Sequence, residues 1–369
     1  MYRTERVISG TILAGPELQT LEGYVCIKNG VIKEIGEERN NSTNIIAPCF
    51  VNAHTHIGDS VCKDPALGTR SGFRIKKDLD TLVKPPDGLK HRILRETSYR
   101  ELVKSMRRTL LDMIETGTCA FADFREGGVV GVSALNEALQ GLELESLVLG
   151  RPLEPENPRE VLLNEIKRIF LHSNGLGMSG ANDMDSGRLR EIAAFTKKQK
   201  KVFAIHAGEK NRTDIEQALS LEPDFLVHLT NANAKDLQRV ADIGLPVVVC
   251  PRSNFITGVG RAPVLEMLEA GIPLAVGTDN VMLNSVNMFA EMEILSKIFS
   301  LDDRQVFKIC TLNGYSIMGL ESKGSIEKGN KAKLMILNGK SNNLSGVKNP
   351  INGIVRRARP SDILSVFHS

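Results

Sequence analysis

The chain has 369 residues, and its 47 lysines and arginines nearly balance its 44 aspartates and glutamates, which leaves a formal net charge of +3. So small an excess of positive charge argues against a nucleic-acid partner, because affinity for a phosphate backbone comes from many basic contacts. With 41% hydrophobic and 25% charged residues, the composition is that of a globular protein and excludes a disordered or fibrous one.

The sequence also predicts where the protein resides. No apolar stretch reaches the roughly 20 residues that a membrane-spanning helix needs. The amino-terminal sequence MYRTERVISG lacks the basic-then-apolar layout of an export signal. The six cysteines include no CxxC pair, which fits neither a disulfide framework nor a zinc ribbon. We therefore expect a cytoplasmic protein with reduced thiols and no membrane partner.

The two ends of the chain have short-strand character. VISGTILAG, YVCIK and VIKEI read as strands, and Asn29-Gly30 between the last two favours a tight hairpin turn. After about residue 320 the chain returns to short strands and turns. Since an isolated hairpin is only marginally stable in water, we expect residues 1–44 and 321–369 to build one composite β-sandwich domain.

Between residues 45 and 320, short apolar runs alternate with longer segments of helical period, such as the one from His91 to Thr116. Eight runs of this kind predict an α/β fold, a (β/α)8 TIM-like barrel. The runs are IIAPCFVNA, TCAFADF, LVLGR, GLGMSG, VFAIHA, FLVHL, PVVVC and PLAVGT. An open, doubly wound sheet is the alternative, and the absence of a glycine-rich phosphate fingerprint after the first run counts against it.

Residues capable of binding a metal stand at the ends of four of these predicted strands. They are His54, His56, His206, His228 and Asp279. In an α/β barrel the carboxyl ends of the strands meet at one mouth, so residues distant in sequence converge there. Side chains two apart on a strand point the same way, which lets the first two histidines share an ion.

Three imidazoles and one carboxylate with a water molecule suit Zn²⁺, one ion per chain, with Fe²⁺ as the second choice. Glu209 lies three residues after His206. Beside such an ion it would shuttle a proton without being a ligand, although a solvated loop carboxylate is the simpler interpretation of Glu209 taken alone.

These motifs together resemble the metal-dependent amidohydrolase superfamily, in particular its branch of deaminases and chlorohydrolases. That branch includes adenosine, S-adenosylhomocysteine, guanine and cytosine deaminases. NAHTHIGD is similar to the first-strand HxH of the family, IHAGE to the fifth-strand HxxE, and LVHL to the sixth-strand histidine. CPRSN and VGTDN resemble the segments of the seventh and eighth strands, and GLESKGSIEKGNKAKLMIL resembles the strand that returns to the β-sandwich.

The resemblance implies that His54, His56, His206 and Asp279 bind one metal ion. By the same resemblance, His228 contacts the attacking water or the tetrahedral centre, Glu209 is the proton shuttle, and Asp279 also acts as a base. Binuclear relatives usually carry a carboxylated lysine on the fourth strand, where GLGMSG has no lysine, so a mononuclear site is expected.

The resulting prediction is a zinc-dependent hydrolytic deaminase of a small molecule, an amino-substituted heteroaromatic ring such as a purine, nucleoside derivative, pterin or pyrimidine. Metal-bound hydroxide attacks the ring carbon and ammonia leaves. The alternatives are hydrolysis of another carbon–nitrogen bond, as in a cyclic amide, displacement of chloride from a ring, and a catalytically silent binding protein. The loop from Gly58 to Arg74 is more polar than in deaminases of adenosine derivatives, so the sequence does not decide which ring is the substrate. A homo-oligomer is compatible with the resemblance.

Overall fold

A computed structural model of the chain describes residues 5–65, 79–83 and 88–368. Within these ranges the strands are β1 Glu5–Ala14, β2 Gln19–Lys28, β3 Val31–Glu37, β4 Asn44–Pro48, β5 Phe50–His56, β6 Thr118–Arg125, β7 Glu145–Gly150, β8 Gly175–Met178, β9 Val202–Ala207, β10 Phe225–His228, β11 Val247–Val249, β12 Leu274–Val276, β13 Asp279–Asn280, β14 Lys333–Asn338 and β15 Ile363–His368. They form two sheets, one of six strands and one of nine.

Strands from both termini make the six-stranded sheet, in the order β15-β14-β4-β1-β2-β3. The hairpin of β2 and β3 turns at Asn29 and Gly30, whose φ angles of 53° and 72° are those of the predicted turn. The β-sandwich prediction is thus confirmed in part, since the two ends of the chain share one sheet. β4, which contains the predicted domain boundary, pairs with β1 and β14 of this sheet. The division into two domains stays a prediction.

The nine-stranded sheet is parallel throughout, in the order β12-β11-β10-β9-β8-β7-β6-β5-β13. β12 pairs with β11 at one end of this order, and β13 pairs with β5 at the other end. Only two residues separate β12 from β13 along the chain, so the sheet curls back on itself. Gly277 lies at this junction, where a Cβ atom would stand 2.6 Å from the backbone oxygen of His54. The predicted α/β class is confirmed, and each of the eight apolar runs contains a strand; closure into a (β/α)8 barrel stays a prediction.

Helices separate the strands of the curled sheet. The α-helices in the described ranges are α1 Leu79–Leu82, α2 Leu89–Glu96, α3 Tyr99–Glu115, α4 Gly128–Leu139, α5 Arg159–Phe170, α6 Ser186–Lys198, α7 Ile215–Ser220, α8 Ala234–Asp242, α9 Pro251–Ile256, α10 Val264–Glu269, α11 Met288–Lys297, α12 Asp303–Ile309, α13 Leu312–Ile317 and α14 Pro350–Arg357. The helical pattern predicted from His91 to Thr116 is two helices rather than one. Thr97 is extended, and the Ser98 side chain accepts a hydrogen bond from the backbone N–H of Glu101, which starts α3 afresh.

A buried apolar cluster packs inside the curled sheet. Val51, Ala53, Ala120 and Ala122 belong to this cluster, which Tyr315 joins. Polar side chains occupy the carboxyl ends, where the loop after β5 begins as a 3-10 helix, Ile57–Cys62. The remainder of the predicted polar loop, residues 66–74, lies outside the described residues. Across the parts of the chain that are described, no helix combines the length and apolarity that spanning a membrane requires.

Candidate active site

The five side chains predicted to converge do meet at the carboxyl ends of the curled sheet. His54 and His56 lie in β5, His206 in β9, His228 ends β10 and Asp279 begins β13. Each is at most 8% exposed. A cavity of about 270 Å³ opens beside them and is lined by all but the first of the five.

The donor atoms of these residues have the spacing of a single metal site. His54 Nε2 lies 3.2 Å from His206 Nε2 and 3.3 Å from Asp279 Oδ1, and His56 Nε2 lies 3.5 Å from that same oxygen. Two ligands of a tetrahedral zinc ion, each at about 2.0–2.1 Å from it, stand about 3.3 Å apart. A second group of possible ligands, His54 with His228 and Asp279, also has its donor atoms within 4.8 Å of one another.

Backbone carbonyls orient two of the imidazoles. His206 Nδ1 lies 2.7 Å from the carbonyl oxygen of Met178, and His56 Nδ1 lies 3.1 Å from that of Phe124. A carbonyl only accepts, so each Nδ1 carries the hydrogen and each Nε2 presents a lone pair to the cluster. Among the residues that the structure describes, His54 Nδ1 has no hydrogen-bond partner, and that ring makes an edge contact with Phe124 at 4.5 Å between centroids.

Burial favours the neutral form of the three imidazoles that are predicted to bind the metal ion. Burial lowers the pKa of His54, of His56 to about 3, and of His206. Burial works the other way on Asp279, but its contacts with the imidazoles, His54 foremost, hold the pKa of this carboxyl well below its usual range. The Nε2 lone pairs of His56 and His206 face the same cluster as the Asp279 carboxylate, and a cation there would interact favourably with all three, so the donor set fits a metal ion.

The segment after β11 fixes two of the functional groups. Ser253 donates a hydrogen bond to Asp279 Oδ2, and Asn280 Nδ2 donates to Ser253 Oγ at 2.7 Å, which leaves Asp279 Oδ1 facing the histidines. Asn254 Oδ1 lies 3.0 Å from His228 Nδ1 and so accepts its hydrogen. His228 and Asp279 also have left-handed φ angles of 80° and 60°, a strain of about 1–3 kcal/mol each that aims these strand-end residues.

Glu209 lies on the wall of the cavity nearest His228. Gly208, with φ of 62°, turns the chain between β9 and Glu209, and a Cβ atom there would stand 2.9 Å from Ile215. Glu209 Oε2 is 3.6 Å from His228 Nε2, and its side chain is 20% exposed. Burial is the main cause that raises the pKa of Glu209 to about 7, where both protonation states are accessible.

Three charged residues near His56 were not predicted. Glu126 follows β6 directly, and its Oε1 lies 2.9 Å from His56 Nδ1. Lys90, from α2, places its Nζ 2.6 Å from Glu126 Oε1 and 3.2 Å from Asp59 Oδ1. The position of Glu126 at a strand end is a signal that sequence reasoning could have used, whereas nothing in the sequence of α2 marks Lys90.

Residues 45–364 match the Amidohydrolase family. An uncharacterised protein of Methanocaldococcus jannaschii is 35% identical over 97% of this chain and 96% of its own length. The chain belongs to the amidohydrolase family. The predicted resemblance is therefore confirmed, and with it the prediction of a hydrolase that acts on carbon–nitrogen bonds other than peptide bonds.

Further similarities connect this amidohydrolase with deaminases. The 5-methylthioadenosine/S-adenosylhomocysteine deaminase of Caldicellulosiruptor saccharolyticus is 23% identical over 95% of this chain and 88% of its own length. The crystal structure of an adenosine deaminase from Xanthomonas campestris with bound zinc superposes with a TM-score of 0.81 and 17% identity, covering 98% of this chain and 90% of that one. At 17% identity, the similarity to the adenosine deaminase structure shows a shared fold.

Proposed function

We propose that this amidohydrolase is a hydrolytic deaminase of an amino-substituted heteroaromatic ring, with one Zn²⁺ held by His54, His56, His206 and Asp279. The observation that carries the proposal is the meeting of their donor atoms at 3.2–3.5 Å, with the Nε2 lone pairs of His56 and His206 turned towards the cluster. Fe²⁺ is the alternative ion. The deaminases among the similar proteins support an aminated ring as the substrate.

Bound zinc would lower the pKa of a coordinated water towards about 7 and so supply a nucleophile near neutral pH. In the neutral form of His228 the hydrogen lies on Nδ1, and Nε2 would accept a hydrogen bond from the attacking water. Asp279 Oδ1 would be a ligand and would assist as a base at the same water, while Asp279 Oδ2 accepts a hydrogen bond from Ser253.

Glu209 moves the protons. With a pKa near 7, it would take one proton from the water and deliver it to a ring nitrogen. It would then take the second proton from the hydroxyl group of the tetrahedral adduct, with Asp279 assisting as a base, and deliver it to the leaving amine. This last step distinguishes deamination, since ammonia leaves poorly unless it is protonated. The purine, pterin and pyrimidine rings all fit this scheme, and the expected homo-oligomer and cytoplasmic location stay predictions.

The test is ammonia release across a library of aminated purines, pyrimidines, pterins and nucleosides, with metal-free protein reloaded with Zn²⁺ or Fe²⁺. Chlorinated rings and cyclic amides form a second arm of the library. We expect ammonia from at least one aminated ring and about one ion per chain in the active protein. Chloride release or ring opening without any ammonia would contradict the deaminase. Failure of the wild-type protein to retain a metal ion would contradict the site itself.

A further inference from the structure

Glu126 stands against the outer edge of a predicted metal ligand. It is 7% exposed, and its Oε1 lies 2.9 Å from His56 Nδ1, on the side of the ring away from the Nε2 that faces Asp279. The hydrogen of Nδ1 is directed to the carbonyl oxygen of Phe124, so the carboxylate adds charge beside this bond. Oε1 itself accepts no hydrogen bond of good geometry among the described residues.

Cations surround this carboxylate. Lys90 Nζ lies 2.6 Å from Oε1, Arg125 Nη2 lies 2.5 Å from Oε2, and Arg151 Nη1 lies 3.9 Å from Oε1. Without Glu126, these positive charges would stand behind His56 and repel a divalent cation bound at its Nε2. Burying a carboxylate is costly unless cations compensate it, as Lys90 and Arg125 do here, so it is the position of Glu126 behind His56 that carries the inference.

We propose that Glu126 is a positioning residue for the metal site, one that acts on the ion through His56. Its negative charge strengthens the imidazole as a ligand and offsets the positive charge of Lys90 and Arg125. The inference rests on the ligand set of the proposed function. Partners behind a metal-bound histidine are typically worth about 10- to 100-fold in metal affinity.

Asp59 supplies a matched control. It is a fully buried carboxylate of the same network, with Oδ1 3.2 Å from Lys90 Nζ. Among the described residues its ion pair is with Lys90, and it forms none with a predicted metal ligand. Burial raises the pKa of Asp59 to about 7, so above that pH Asp59→Asn removes a negative charge from the network without touching His56.

The experiment compares Glu126→Gln with Asp59→Asn in metal-free protein. Zn²⁺ affinity is measured by competition with a chromophoric chelator, and the visible spectrum is recorded at saturating Co²⁺. We expect zinc binding by E126Q to weaken about 10- to 100-fold, and binding by D59N to stay within about threefold of wild type. The cobalt bands should shift in E126Q alone, because only there does the ligand field of His56 change.

Equal weakening in the two variants, or wild-type affinity in E126Q, would overturn the inference. If circular dichroism shows that E126Q does not fold, Glu126→Asp takes its place, since it keeps the charge but withdraws it from His56. E126D should then bind zinc more weakly than D59N, and wild-type affinity in E126D would again overturn the inference. Wild-type protein that binds no ion would overturn the proposed function as well. Tight wild-type binding with an unaffected E126Q would remove this inference alone.

Discussion

The two walls of the cavity hold the same kind of residue in opposite electrostatic states. On one wall Glu209 is 20% exposed, its Oε2 lies 3.6 Å from His228 Nε2, and burial raises its pKa to about 7. On the other wall burial acts on Glu126 in the same direction, but Lys90 and Arg125 outweigh it and hold the pKa of Glu126 well below its usual value.

Neighbouring cations, rather than burial, thus decide what each carboxyl can do. A group that titrates near neutral pH can pass protons, and a group that stays ionised can only supply a fixed charge. Glu209 meets the first requirement because no lysine or arginine forms an ion pair with it in the described part of the chain. Glu126 meets the second because three cationic side chains border it.

Removing the titrating group should have the largest effect. Glu209→Gln keeps the shape of the side chain but cannot carry a proton, so we expect turnover to fall by about two to four orders of magnitude. Zinc affinity should be unchanged, because Glu209 is not a proposed ligand. Steady-state turnover with the best aminated ring, at full zinc occupancy, measures this. Glu216→Gln is the control, since that side chain is 84% exposed. Wild-type turnover in zinc-loaded E209Q would refute the proton shuttle.

Removing the cation that Asp59 and Glu126 share should affect stability. Lys90→Met leaves Asp59 and Glu126 buried without their shared cation, and we expect the free energy of unfolding to drop by about 3–5 kcal/mol. Urea unfolding of metal-free protein at neutral pH measures the loss. Lys308→Met makes the same change in an ion pair whose partner, Glu17, is 70% exposed, and should have little effect. Equal stability of the two variants would mean that the buried ion pairs of Lys90 stabilise the fold no more than the exposed pair of Lys308 does.

The contrast between the walls also marks what sequence can reveal. His54, His56, His206, His228 and Asp279 were predictable because each stands at the end of an apolar run, and parallel strands bring such ends together. The ion pair of Lys90 with Glu126 was not predictable, because Lys90 comes from another element and no local sequence pattern indicates that contact. The orientation of the rings was equally hidden, because carbonyl oxygens rather than side chains accept the Nδ1 hydrogens of two of them.

Two errors in the predicted elements had local signals. The first apolar run was taken as one strand, but β4 ends at Pro48 and β5 begins at Phe50, so the run serves both sheets. Proline has no N–H to continue a ladder and marks such a break. The single helix predicted from His91 missed Ser98, a preferred N-cap residue, because apolar residues keep the helical period on both sides of it.

The smallest expected effect is the sharpest test of the comparison, because it gives the two carboxyls opposite signs. The pKa of Glu209 is about 7 in the folded protein against 4.5 ordinarily, so folding disfavours its ionised form and stability falls as pH rises through this window. Metal-free Glu209→Gln has no carboxyl group to ionise at this position, so its stability does not fall in this way. It should unfold with a free energy up to about 3 kcal/mol above wild type near pH 8, and no more than about 0.5 kcal/mol above it near pH 4.5. The pKa of Glu126 is lowered, so its ionised form stabilises the fold at neutral pH, and E126Q should be less stable than wild type there. Urea midpoints at the two pH values measure both effects. A destabilised E209Q near pH 8 would show that the ionised form of Glu209, like that of Glu126, stabilises the fold.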